Sequence, residues 1–366
     1  MSDEQFMREA LSCAQVGLGR VNPNPLVGAV VVRHGATVGR GGHEYFGGPH
    51  AERNALAACT DDLRGATVYV TLEPCCHTGK TPPCTEALIA AGVTRVVVGC
   101  LDPNPLVAGK GVAALRDHGV EVSVGVLNHE CAEINEAFFH FITTGRPLVV
   151  MKYAMTLDGK IATRTGASRW VSGDRARLAV QHDRQRWAAV MVGVGTVLAD
   201  DPQLTCRLAG SRNPLRIVCD SRLRVPLDAA VVRTARQTPT LLATCCADAS
   251  KVEACRRTGC EVLVLPADGG RVDLRALCAA LGDRGVDSVL LEGGGRLNWS
   301  ALHAGIVTRI QVYLAPKLFG GADAPSPVAG IGVSDPDDAF RIGPPRLTRL
   351  GDDLLWESEV LPCSQA

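Results

Sequence analysis

Aromatic residues are scarce in this chain, at 4% of its 366 residues, and net charge is absent, because 38 basic residues balance 38 acidic ones. A surface that stacks bases and neutralises phosphates needs aromatic faces and excess Lys and Arg. These two deficits argue against a nucleic-acid partner. Long apolar runs are also missing. The longest, such as Leu26 to Val32, are strand-sized, against roughly 20 residues for a membrane-spanning helix, so no membrane partner is expected. Met1-Ser2-Asp3-Glu4-Gln5-Phe6 is acidic and polar, unlike a secretory leader. What abounds is cysteine. Fifteen at irregular spacings suit a reducing, cytoplasmic setting better than a disulfide framework.

A chain of this length is expected to hold two domains. Thr143-Thr144-Gly145-Arg146-Pro147 reads as the linker, giving domains over 1–146 and 147–366. In the first, Val27 to Val32 and Ala36 to Gly39 predict a hairpin across His34-Gly35. Further strands are expected near 66–73, 94–100 and 120–125, and helices near 50–59, 84–91, 109–118 and, in one piece, Glu130 to Ile142. The class is α/β, a mixed sheet flanked by helices.

The chemistry concentrates in His50-Ala51-Glu52, Pro74-Cys75 and Cys84. Gly47-Gly48-Pro49 punctuates a helix start that puts His50 and Glu52 in the first turn. A β-branched run over 66–73 ends at Pro74, placing Cys75 at a strand end, and Cys84 opens a second helix. A thiol at a helix N-terminus is biased towards thiolate, the form that binds zinc. One imidazole and two thiols hold zinc with its fourth position open, and Glu52 stands ready to move protons. Any one Cys of fifteen is more often core than ligand, but the ordered combination favours a metal. A purely structural zinc needs a fourth protein ligand, for which Cys76 and His77 are at hand.

The order of these residues resembles the cytidine deaminase-like family, with its H-x-E…P-C-x-x-C signature. One departure is that eight residues separate Cys75 from Cys84. That insertion, Asn22 to Val30, Gly42 to Glu52 and Asp102-Pro103-Asn104-Pro105 are similar to the riboflavin-pathway branch of the family. The resemblance implies zinc, one per chain, on His50, Cys75 and Cys84, Glu52 as the catalytic proton carrier, and substrate contacts from Asn24, His43, His77, Lys80, Asp102 and Asn104. A solvated loop lysine is an equally good account of Lys80.

The second half also reads α/β, with strands near 148–154, 188–193, 215–220, 261–265, 287–292 and 307–315, and helices near 173–184, 271–282 and 296–304. Glu292-Gly293-Gly294-Gly295 joins a strand to a helix start, where bare N–H groups attract phosphate. A ligand-free turn accounts for the glycines equally well. Val192 to Val197 lacks the third glycine and the acid of a Rossmann fingerprint. The segments Met151 to Ala162, Ser168 to Ser172, Gly193 to Thr205 and Glu292 to Gly295 resemble, in order, the riboflavin-pathway reductases, whose fold is similar to dihydrofolate reductase. The resemblance implies NADPH on Ala154, Trp170, Thr196, Asp200, Ser221, Gly294, Gly295 and Arg296. It implies substrate on Lys152, Ser168, Arg184, Leu204, Arg207 and Glu292, with Arg184 and Arg207 suited to its phosphate. Arg222 and Arg224 are candidates for the cofactor's 2′-phosphate. Surface charge is the ordinary fate of such arginines. Together the motifs imply a bifunctional deaminase–reductase acting on phosphorylated pyrimidines, and a homo-oligomer, expected to be a dimer. A nucleic-acid deaminase and a non-enzymatic zinc scaffold are the competing readings.

Overall fold

The computed structural model describes residues 2–60, 62–77 and 82–361. They divide into two compact units, Met1–Gly145 and Arg146–Ala366. In the first unit the helices are α1 Asp3–Ala14, α2 Ala51–Ala57, α3 Cys84–Ala90, α4 Lys110–Asp117, α5 Asn128–Glu133 and α6 Glu136–Thr144. The strands are β1 Gly28–Arg33, β2 Ala36–Gly42, β3 Thr67–Leu72, β4 Arg95–Cys100 and β5 Glu121–Val124. Strand order is β2-β1-β3-β4-β5; β1 is antiparallel to both neighbours, while β3, β4 and β5 run parallel.

Side-chain alternation builds three layers from this sheet. Ala29, Val31, Val68 and Val70 pack with Ala51, Ala55 and Leu88 on one face. Val30, Val32, Tyr69 and Val97 pack with Phe6, Met7 and Phe138 on the other. Period-two alternation in a strand produces this division. On the first face α2 rests directly on strand backbone. A Cβ at Gly41 would fall 2.3 Å from the Ala55 nitrogen and 2.4 Å from the Ala51 oxygen.

Two features differ from the sequence reading. The acidic N-terminus is the start of α1, where Ser2 and Gln5 form a reciprocal capping box. The single helix expected from Glu130 to Ile142 is two, α5 and α6. Between them the buried Asn135 side chain accepts from the Leu26 N–H at 2.7 Å and donates to the Leu26 carbonyl at 2.9 Å. The same amide donates to the Cys131 carbonyl at 3.3 Å, and a local asparagine–backbone pairing of that kind competes with continued helix.

The second unit has strands β6 Leu148–Thr156, β7 Ala189–Gly193, β8 Leu215–Cys219, β9 Thr240–Thr244 and β10 Glu261–Val264. A small hairpin, β11 Ala267–Asp268 and β12 Arg271–Val272, precedes β13 Ser288–Leu291, β14 Arg309–Ala315, β15 Arg346–Leu350 and β16 Asp353–Glu359. Its helices are α7 Asp174–Arg186, α8 Val194–Asp200, α9 Ala230–Arg233, α10 Ala249–Arg257, α11 Leu274–Asp283 and α12 Gly295–His303. The sheet runs β10-β9-β8-β7-β13-β6-β14-β16-β15. It is parallel from β10 to β14 and antiparallel at β16 and β15. Both faces are covered, by α11 and α12 on one side and by α8, α9 and α10 on the other, as parallel sheets require.

Eight elements here escape the sequence reading: β9, β11, β12, β15, β16, α8, α9 and α10. The run Thr240–Thr244 is too short to show a period. Helix α8 starts at Val194, directly after β7, so its glycines read as a loop. The helix expected from 271 begins at Leu274 instead. Arg271 and Val272 are taken by the hairpin, and Asp273 caps the helix by accepting from the Arg275 and Ala276 N–H groups.

Candidate active sites

In the first unit the end of β3, the start of α2 and the start of α3 meet. His50 is the N-cap of α2 and Cys84 is the first residue of α3. His50 Nδ1 lies 3.4 Å from Cys75 Sγ and 3.3 Å from Cys84 Sγ. The Cys84 N–H donates to Cys75 Sγ at 3.3 Å. The three ligand atoms lie within 4.8 Å of one another, and no fourth His, Cys, Asp or Glu joins them among the described residues. Neither Cys76 nor His77 therefore completes a closed cage.

The charges suit a cation. The Cys75 thiol is pulled down to about 4, first by its hydrogen bond with Cys84 and then, against burial, by His50 and the Cys84 N–H. Cys84 is pushed up by the same shared contact, so the two sulfurs divide one proton. A divalent ion would remove it, since coordinated thiols ionise outright. One nitrogen and two sulfurs at these separations fit tetrahedral zinc with one position open. Glu52 is buried, at 3% exposure, and burial followed by Cys75 raises its carboxyl to about 7.

Around this cluster, His43 Nδ1 contacts the Pro49 carbonyl at 3.0 Å and its Nε2 contacts Asn24 Nδ2 at 3.2 Å. The first contact makes Nδ1 the protonated nitrogen, and Nε2 accepts from the amide. Burial lowers the His43 pKa, which keeps that neutral form. The ring packs edge-on to His50 at 5.5 Å. Asp102 accepts from the Asn104 N–H at 2.8 Å, and burial lifts its carboxyl to about 6. His77 is exposed, and its charge acts on Asp102. Lys80 lies outside the described residues.

Sequence reasoning missed Glu73. This buried carboxylate accepts from the backbone N–H groups of Asp102, Gly109 and Val112 at 3.3, 2.9 and 3.1 Å. It ties the segment carrying Cys75 to the loop carrying Asp102 and Asn104. Its place immediately before Pro74 was the available signal.

The second unit gathers charge where β13 and β6 run side by side. Arg184 grips Glu292 through two bonds, Nε to Oε1 at 2.7 Å and Nη2 to Oε2 at 3.0 Å, and also donates to the Thr205 carbonyl at 3.0 Å. Lys152 Nζ stands 3.8 Å from Glu292 Oε2. Burial pushes Glu292 up, but Arg184 and Lys152 outweigh it and hold the carboxyl at about 2. Arg207 is exposed, adds to this field, and is tied by its N–H to Gln181 Oε1 at 2.9 Å. Leu204 is buried in a left-handed backbone conformation.

A second group forms at the starts of α8 and α12. Thr196 Oγ1 faces Gly294, 3.9 Å from where a Cβ would stand, and a Cβ on Gly295 would meet the Ser326 carbonyl at 2.6 Å. Ser168 Oγ donates to Asp200 Oδ1 at 3.4 Å. Trp170 is exposed, with the Arg177 guanidinium 4.5 Å over its ring. The remaining positions make no side-chain hydrogen bond or ion pair with these groups among the described residues. Ser221 Oγ accepts from the Val272 N–H, Arg296 is exposed on α12, and Ala154 lies on β6 opposite Tyr313. Arg222 and Arg224 are exposed on a turn whose N–H groups donate to buried Asp220.

Known proteins match both units. Residues 1–100 match the cytidine and deoxycytidylate deaminase zinc-binding region, and residues 147–355 match the RibD C-terminal domain. The riboflavin biosynthesis protein RibD of Actinobacillus pleuropneumoniae is 51% identical over 361 residues, covering 99% of this chain and 96% of its own. This chain belongs to the RibD family. RibD of Aquifex aeolicus is 42% identical, covering 96% of this chain and 97% of its own. Among solved structures, Acinetobacter baumannii RibD is 35% identical with a TM-score of 0.87. A Thermotoga maritima diaminohydroxyphosphoribosylaminopyrimidine deaminase/5-amino-6-(5-phosphoribosylamino)uracil reductase is 38% identical with a TM-score of 0.85. Each covers 98% of this chain and 99% of its own. As a RibD family member, the chain is a bifunctional riboflavin-biosynthesis enzyme with a zinc-binding deaminase unit and an NADPH-dependent reductase unit. No helix among the described residues is long and apolar enough to cross a membrane.

Proposed function

We propose that the first unit hydrolyses the 2-amino group from 2,5-diamino-6-(5-phosphoribosylamino)pyrimidin-4(3H)-one, and that the second reduces the ribosyl group of the deaminated product to ribityl. The observation that carries the first step is the buried carboxyl of Glu52 beside a three-atom N/S/S cluster. His50, Cys75 and Cys84 would hold zinc, which when bound supplies Lewis acidity towards a water molecule. Glu52 takes a proton from that water and passes it to the ring nitrogen and on to departing ammonia. A carboxyl raised to about 7 suits both halves of that exchange. Asn24, His43, His77, Lys80, Asp102 and Asn104 bind the pyrimidine and its phosphoribosyl arm.

In the second unit NADPH, when bound, supplies hydride. Thr196, Gly294, Gly295 and Arg296 hold it at two adjoining helix starts, with Ala154, Trp170, Asp200 and Ser221 lining its path. Arg222 and Arg224 meet the 2′-phosphate. Lys152, Ser168, Arg184, Leu204, Arg207 and Glu292 hold the substrate. Lys152 works beside the sugar carbon that is reduced, because its mostly buried ammonium has an ion pair at 3.8 Å but no hydrogen bond among the described residues. Those protons are free for a substrate oxygen. The domains divide at 146/147, and the enzyme works as a cytoplasmic homodimer, in keeping with every described cysteine being a free thiol.

The test is an assay on the diaminopyrimidinone phosphate with purified enzyme. Ammonia release without NADPH, followed by NADPH oxidation only once deamination has run, supports both roles and their order. NADPH oxidation that precedes ammonia release overturns the order, and no ammonia at all overturns the first role.

A further inference from the structure

Strand β6 places Lys152 opposite Gln311 of β14, and Gln311 pairs in turn with Glu357 of β16. Two residues along β14, on the same face, stands Tyr313. Its ring centre lies 5.5 Å from Lys152 Nζ. Its hydroxyl donates to Asp183 Oδ2 at 2.8 Å, and Asp183 belongs to α7, one residue before Arg184. Tyr313 is 1% exposed. The ammonium of Lys152 thus has a carboxylate on one side, an aromatic face on another, and no hydrogen bond among the described residues to fix its direction.

We infer that Tyr313 and Asp183 are positioning residues for the reductase step: the ring seats the Lys152 ammonium, and the Asp183 carboxylate fixes the ring by gripping its hydroxyl. A cation is drawn to a ring face within about 6 Å, and an ion pair at 3.8 Å leaves an ammonium free to pivot. A lysine stem has four rotatable bonds, so without the ring it has several places to go. The pair also couples the reacting end of β6 to α7, the helix that supplies Arg184.

The charges facing Asp183 are Lys152 from β6, Arg186 from its own helix and Glu357 from β16, besides the Tyr313 hydroxyl. Burial raises its carboxyl to about 6, and Tyr313, Lys152 and Arg186 oppose that rise. The Asp183 anion is therefore lost as pH falls through about 6, and with it the charge that tightens its hold on the Tyr313 hydroxyl.

The inference rests on Lys152 working at the reduced carbon. The test uses the full chain and measures NADPH oxidation with the deaminated pyrimidine as substrate. Tyr313→Phe keeps the ring and removes the grip; Asp183→Asn removes the charge at constant volume. Both are expected to lower kcat, by up to about 10²-fold for a displacement near 1 Å. KM for NADPH should stay within error of the parent, and the acid limb of the parent's kcat profile near pH 6 should vanish in Asp183→Asn. Parent-level kcat in both variants overturns the inference. So does a fall in kcat with the acid limb intact in Asp183→Asn, which would mark general structural damage. Lys152→Met tests the underlying reading separately. Full turnover there sinks that reading, whereas a crippled Lys152→Met beside unimpaired Tyr313→Phe and Asp183→Asn sinks only the positioning role.

Discussion

Arg184 and Glu292 meet through a two-pronged bond, at 2.7 and 3.0 Å, that joins α7 to the end of β13 with both side chains little exposed. Taking one partner from a buried pair strands the other. Glu292→Ala should therefore lower the stability of the reductase unit by about 3 kcal/mol and abolish NADPH oxidation, while ammonia release persists. Denaturant unfolding, followed with both assays on the same preparation, reads all three. A variant as stable as the parent would show that Arg184 finds other partners.

Glu52→Gln should keep zinc at one ion per chain and cut ammonia release by about 10²–10⁴-fold, the usual worth of a placed acid–base group. Metal analysis beside the ammonia assay separates the two effects. Loss of zinc in this variant would recast Glu52 as a ligand.

Cys84→Ser should lose zinc and deamination together, and a strong chelator should do the same to the parent. NADPH oxidation with the deaminated pyrimidine should survive both treatments. If chelation stops reduction too, the metal serves more than the first unit.

Asp102 is pushed up to about 6 by burial, against 3.8 for an ordinary aspartate. Its anionic form is lost as pH falls through about 6. If that anion holds the pyrimidine, KM for deamination should rise below about pH 6, and Asp102→Asn should show a raised KM at every pH with this dependence gone. An unchanged profile in Asp102→Asn would assign the rise to another group.

Asp183 gives a stability counterpart with the opposite use. Its folded-state pKa lies above the unfolded value, so its favourable contribution is full below 3.8 and is lost as pH rises towards about 6. Asp183→Asn should therefore gain stability relative to the parent as pH rises from about 4 to about 6, as read from paired urea titrations at those two pH values. A constant difference between the two proteins across that range would mean Asp183 titrates elsewhere.

The candidate metal ligands were legible in the sequence because each sits at a punctuated element boundary: Gly-Gly-Pro before His50, Pro74 before Cys75, Pro-Pro before Cys84. The sheet was legible where β-branched runs are long, as in β1, β3 and β4. It was not legible at β16, where Asp353–Glu359 alternates weakly, or at β9, only five residues long. Tyr313, Asp183 and Glu73 were hidden for a different reason. Their roles come from partners 130 and 36 residues away in the chain, and no local pattern announces a contact of that kind. Helix α10 was missed although Asp248 caps it, because its polar face gives a weak apolar stripe.

Gly41 seats α2 on bare strand, with the backbone of Ala51 and Ala55 against it, and the imidazole that faces both sulfurs caps the start of that helix. The spacing between this candidate ligand and the sheet is thus set by backbone against backbone, without any side chain to compress or rotate. Variation elsewhere in the layer is free to repack around that fixed mount, but enlarging Gly41 lifts the imidazole bodily from its two companions.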